Sequence, residues 1–202
     1  MQLQWKRSQH AQKRNRPWAN IAMLIVLALS LILAGCGSFG GLTGTSDEGS
    51  LERSDEAAIY AQIIRRLATE DDTFGGTLNP PVLYVIRATD DAAGDPMSEQ
   101  GESVRLPETL QAAITEALSD LPAEIIWIDS RDEVPLYEER HAVIDGGAVI
   151  TVGNIHPQEE RTVHVAGSIW VAMLAAGGQT YVVEQVEGGW TITGTTGVMW
   201  IS

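Results

Sequence analysis

A single cysteine, Cys36, occurs in the 202 residues. No disulfide can form within the chain, and neither a cysteine-rich zinc module nor an iron–sulfur cluster ligated by this chain alone can be built. Lysine is almost as scarce: only Lys6 and Lys13 occur, and there is none beyond residue 35. Residues 36–202 carry eight arginines against all 27 acidic residues, a net charge of −19 within a whole-chain value of −14. Phosphate binding needs clustered cations, so nucleic acid is excluded as a partner. Long apolar runs are missing too. The longest, Ile21–Leu33, is thirteen residues broken by Ser30, against the roughly 20 that a membrane-spanning helix requires.

What the first 35 residues do hold is five cations (Lys6, Arg7, Lys13, Arg14, Arg16) and no acid, followed by that short apolar run. A cationic segment before an apolar run of this size has the form of a signal peptide. The junction Leu33-Ala34-Gly35-Cys36 resembles the lipobox of bacterial lipoproteins. The resemblance implies that 1–35 is a lipoprotein signal peptide and that Cys36 becomes the lipidated first residue of the mature chain. Small Ala34 and Gly35 admit a peptidase to the backbone, and the Cys36 thiol is the nucleophile that takes up a thioether-linked lipid. Two or more acyl chains give an anchor that hardly dissociates, at about 0.8 kcal/mol per buried CH₂. The partner expected from this is the membrane, reached through the lipid on Cys36 at the extracytoplasmic face.

Residues 36–53 are rich in Gly, Ser, Thr and acid without periodicity and read as a linker, with a reach of roughly 25 Å. Residues 54–202 read as one α+β domain, in which two helices pack on a mostly antiparallel sheet ending in a C-terminal β-meander. The first helix is expected over Asp55–Ala68, where Ile59, Ile63, Ile64 and Leu67 recur at helical spacing, with Ser54 as N-cap. The second opens at Leu106-Pro107-Glu108, Pro107 being its first residue, and closes at Pro122. Strands are expected at Val82–Arg87 and Glu124–Asp129, and then at Ala148–Val152, Ser168–Ala175, Gln179–Val186 and Trp190–Thr193. Gly177-Gly178 and Gly188-Gly189 are expected as turns between the last of these, and Thr193-Gly194-Thr195-Thr196-Gly197 as further turn sequence. The run Ser168–Ser202, with Tyr181-Val182-Val183-Glu184 and Gly189-Trp190-Thr191-Ile192, is similar to the closing hairpin of secreted or lipid-anchored bacterial proteins of unknown function. The resemblance implies turn glycines and a packing tryptophan and carries over no catalytic residue.

The chemistry-bearing candidates are few. Asp90, Asp91 and Asp95 share one short loop and could offer hard oxygen ligands to calcium, although the EF-hand spacing is missing and a solvated acidic turn is the plainer reading. His156 and His164 flank a stretch that could be a hairpin loop. Facing each other across two strands, they could bind zinc with Glu159 or Glu160, or be ordinary strand-edge residues. Asp129, Asp132 and Glu133 could pair as carboxylates for glycoside hydrolysis. The nucleophile-elbow, SxxK and phosphate-loop motifs do not occur, and no cofactor is indicated. Trp127, Trp170, Trp190 and Trp200 could stack on sugars, but strand alternation assigns most of them to buried faces. The function expected is therefore a lipid-anchored extracytoplasmic lipoprotein with a non-catalytic binding or accessory domain, facing an envelope protein through acidic loops 88–105 and 130–141. The alternative is an extracytoplasmic hydrolase, with or without metal assistance, using Asp129, Asp132 or the histidines.

Overall fold

The computed structural model describes residues 51–98, 101–137, 139, 141–158 and 161–202. The segment expected as a signal peptide, Cys36, nearly all of the expected linker and Glu159 and Glu160 lie outside the described residues. No helix among the described residues is long and apolar enough to cross a membrane.

Helix α1 spans Arg53–Thr69 and strand β1 spans Val82–Ile86. Helix α2 (Glu108–Ala117) leads into β2 (Glu124–Ile128), followed by two short strands, β3 (Leu136–Tyr137) and β4 (Ala142–Val143). Four long strands complete the chain: β5 (Ala148–Pro157), β6 (Thr162–Ala172), β7 (Ala175–Val186) and β8 (Gly189–Ile201). The main path of the sheet runs β2-β1-β5-β6-β7-β8, with β4 pairing the end of β6 and β3 pairing β4. The β1–β2 and β1–β5 pairs are parallel, and every other pair is antiparallel. The expected α+β architecture is thus present, with a short parallel section that strand content alone does not disclose.

Both helices lie on one face. The α1 residues Ile59, Ile63, Ile64 and Leu67 meet Leu83, Val85, Ile150, Val152, Val165, Ile169, Tyr181 and Val183, all buried. At 25 cal/mol per Å² each such aliphatic side chain contributes about 1.5–3 kcal/mol relative to exposure. Gly167 lies under the crossing, because a Cβ there would come within 2.8 Å of Ile63 Cγ2. Helix α1 starts at Arg53, earlier than the spacing predicts. Glu52 is its N-cap, without a side-chain bond, and Ser54 lies inside the helix. Tertiary contacts account for the two extra residues: Leu51 packs on the core and Arg53 Nη1 donates to Thr109 Oγ1 at 3.1 Å. Pro107 sits at the N-cap of α2, one position before the first helical residue, and the helix ends at Ala117, well before Pro122.

The opposite face is covered by two segments outside the long strands, the second of which carries β3 and β4. The first, described over residues 87–98 and 101–105, is closed at its base by Leu106 N–H donating to Arg87 O and Thr89 N–H donating to Val104 O. The second, residues 129–147, contains a turn whose Ser130 and Glu133 form a reciprocal capping box. It buries Val134 against Ile128, Val143 and Val149. This stretch was expected to be simply polar, and Val134 is what docks it.

Candidate functional site

Between these two coverings the sheet is open, and a cavity of about 460 Å³ remains. Its floor comes from alternate residues of adjacent strands: Ile86 on β1, Val149 and Thr151 on β5, and Ser168 and Trp170 on β6. Thr151 and Ser168 are direct cross-strand partners, as are Val149 and Trp170. Ala88, Thr89, Asp90, Gly101 and Ser103 form one wall, Arg131 another, and Trp200 from β8 closes the far side. The parallel strands β1 and β2 both end here, and the carboxyl ends of parallel strands are where open sheets commonly take ligands.

Trp200 reaches the cavity because β8 breaks alternation. Ile192 pairs with Val183 and Gly194 with Val182, so Thr193 is an extra residue and the faces exchange beyond it. Trp190 therefore packs in the helix-side core, while Trp200 emerges on the other side. A second irregularity places residues 197–199 opposite Gln179, with Gly197 at φ +73°. The indole Nε1–H of Trp200 donates to Ala93 O at 2.9 Å, tying β8 to the first covering segment. Gly178, expected as a turn residue, instead lies within β7 directly beneath this contact. A Cβ there would overlap Ala93 O and lie 2.7 Å from Trp200 Nε1. The real β6–β7 turn is Met173-Leu174, and residues 193–197 are strand.

The wall of residues 88–105 is fixed by Asp91. β5 carries the same kind of bulge, between Val152 and Ile155, which turns Asn154 and His156 onto the cavity-bearing face. Asn154 donates its backbone N–H to Asp91 Oδ1 at 2.7 Å and its side-chain Nδ2 to Oδ2 at 3.0 Å. His156 Nε2 lies 3.1 Å from Asp91 Oδ2. Burial opposes ionisation of Asp91, but the Asn154 bonds and His156 outweigh it and hold the carboxyl below its ordinary range. Thr89 Oγ1 donates to Asn154 Oδ1 at 2.7 Å and accepts from Val104 N–H at 2.8 Å, closing the network.

The other acids named from the sequence are spent locally. Asp90 Oδ1 caps the Ala92 N–H and Asp95 Oδ1 caps the Met97 N–H. His156 and His164 do face each other as cross-strand partners. Among the described residues, no group of three or more His, Cys, Asp or Glu is placed to hold an ion. Asp129 is clasped by Arg105 at 2.6 Å and Arg87 at 3.2 Å. The Arg105 bond, then Arg87, keeps its carboxyl below the ordinary range. Arg131, which sequence reasoning passed over, lies across the Trp170 ring with its guanidinium carbon 5.0 Å from the centroid. The hydroxyls of Thr151 and Ser168 have no hydrogen-bond partner among the described residues. Neither was distinguishable from any other strand Ser or Thr, since the signal lies in the cross-strand register.

The chain matches no protein-family model, no curated protein and no solved structure.

Proposed function

We propose that this chain is a lipid-anchored extracytoplasmic lipoprotein whose α+β domain is a non-catalytic binding module, with its ligand seated in the cavity on the helix-free face of the sheet. The lipobox residues Leu33-Ala34-Gly35-Cys36 support the anchor. The observation that carries the binding reading is the lining itself. Two indoles, several hydroxyls, one carboxylate and one guanidinium converge on a cavity within the usual range of roughly 300–1,000 Å³ for small-molecule sites. A carboxylate pair or a nucleophile beside a base is what hydrolysis requires. Asp90 is the sole carboxylate lining the cavity among the described residues, and no histidine lines it. The hydrolase alternative therefore draws no support from this site.

The test uses the full chain in detergent. Thermal unfolding is followed across a library of small extracytoplasmic solutes, for the native protein and for Ser168→Trp, which fills the cavity. A solute that raises the native Tm and leaves the variant unmoved supports the module, and a library without any such solute overturns it. For the anchor, labelling with an alkyne-tagged fatty acid should mark the native chain and not Cys36→Ser. Equal labelling of both removes Cys36 as the lipidated residue.

A further inference from the structure

The lining of the same cavity discriminates between ligand classes. A purely apolar ligand would leave the Thr151 and Ser168 hydroxyls buried without partners, at the full desolvation cost of each. An anion would find only one cation in the lining among the described residues, Arg131, in a body that carries −19 over residues 36–202. A cation would find one carboxylate, Asp90, already half-used by the Ala92 N–H. Among the described residues the lining is balanced in charge, and its free groups both donate and accept: two hydroxyls side by side on β5 and β6, the second oxygen of Asp90, and the in-plane N–H groups of Arg131. Next to them stands an indole held in place at its own N–H.

We propose that the cavity binds the ring of a neutral sugar, free or at the end of a glycan. This rests on the binding-module reading above and names its ligand. A pyranose has an apolar C–H face and a rim of hydroxyls that each donate and accept. Trp200, pinned by Ala93, is the platform for the C–H face, since one face of Trp170 is already covered by the Arg131 guanidinium. Thr151 and Ser168 on the floor meet the hydroxyls of one edge, and Arg131 and Asp90 those of the other. Fixing the platform through Trp200–Ala93 and the floor through the β5–β6 register supplies the site before the ligand arrives, which lowers the ordering cost of binding.

The experiment is a titration of the full chain in detergent, followed by tryptophan fluorescence and calorimetry. The probes are glucose, galactose and N-acetylglucosamine, with cellobiose, lactose and chitobiose to separate a free sugar from a glycan end. Glycine, glutamate and inorganic phosphate complete the set. Saturable binding of at least one saccharide is expected, weakened about threefold or more by each of Thr151→Val and Ser168→Ala and unaffected by Trp127→Phe. Both cavity variants remove one oxygen without adding bulk, and matching Tm values show that they fold. Saccharide binding that ignores both variants overturns the site. Ser168-dependent binding of glycine, glutamate or phosphate with no saccharide bound overturns the sugar class and leaves the binding module standing. No binding by any probe overturns the sugar proposal, and the solute library then decides the module by itself.

Discussion

Asp91 concentrates more hydrogen bonding than Asp90 or Asp95 in the same loop, and its environment has a definite pH signature. Its folded-state pKa lies below the ordinary value of 3.8, so the ionised form is favoured by folding. The stability it contributes is fully present above the ordinary carboxylate range and is lost as pH falls through the depressed value. Asp91→Ala should cost about 1–3 kcal/mol near neutral pH, because the Asn154 N–H loses its acceptor. The difference between the two proteins should shrink as the pH is lowered below 3.8, and chemical denaturation at a series of pH values checks both statements. A difference that grows on acidification would contradict the assignment. Gly178 makes a second prediction at this scale. Gly178→Ala must push Ala93 and Trp200 off the sheet, at about 1–3 kcal/mol for overpacking, measured by urea unfolding. The acid-rich loop was visible in the sequence, and so was Asp91 within it. Its partner Asn154 lies 63 residues away, a pairing that no local pattern announces.

At the scale of elements, the two helices and strands β1 and β2 were legible because their apolar spacing is strong and they contain no Gly or Pro. Ile63→Ala in α1 removes a wholly buried side chain and should cost about 2–5 kcal/mol, read as a drop in the denaturation midpoint with an unchanged slope. What could not be read was the reversal of alternation. Strict period two puts Trp200 on the same side of β8 as Trp190, and Asn154 on the same side of β5 as Val152. One extra residue in each strand exchanges the faces. Bulges are decided by long-range register, and the strands expected at Ala148–Val152 and Trp190–Thr193 stop short of Asn154 and Trp200, which β5 and β8 in fact include, so both halves of the candidate site were missed. The glycines misled for a related reason. Gly177 and Gly178 resemble turn residues, but the space they leave is taken by a neighbouring segment. Hydrogen exchange should separate the layers. The Asp90 and Ala93 amides, bonded to Val152 O and Asp90 O, lie in an irregular covering segment and should exchange well before those of α1 and the β5–β6 ladder. Equal protection would mean that the covering opens only with the whole domain.

For the molecule as a whole, charge sets the response to salt. With eight arginines against 27 acids beyond residue 35, self-repulsion acts against the compact state. Raising ionic strength from about 0.01 M to 0.1 M shortens the screening length from about 30 Å to 10 Å and should raise Tm. A fall would mean that pairs such as Arg65–Asp120, 2.7 Å apart, outweigh the net charge.

The parallel ladder between β1 and β5 has only three rungs, Leu83–Ala148, Tyr84–Val149 and Val85–Ile150. It joins two stretches that each can assemble from nearby sequence: β1 with α2 and β2, and the run of hairpins from β5 to β8. Closing it brings together residues about 65 positions apart in the chain, the slowest kind of contact to form. The cavity straddles this seam, taking Ile86, Ala88 and Asp90 from one side and Thr151, Ser168 and Trp200 from the other. A ligand seated there acts as a rivet across the join, slowing the separation of the two halves more than it speeds their meeting.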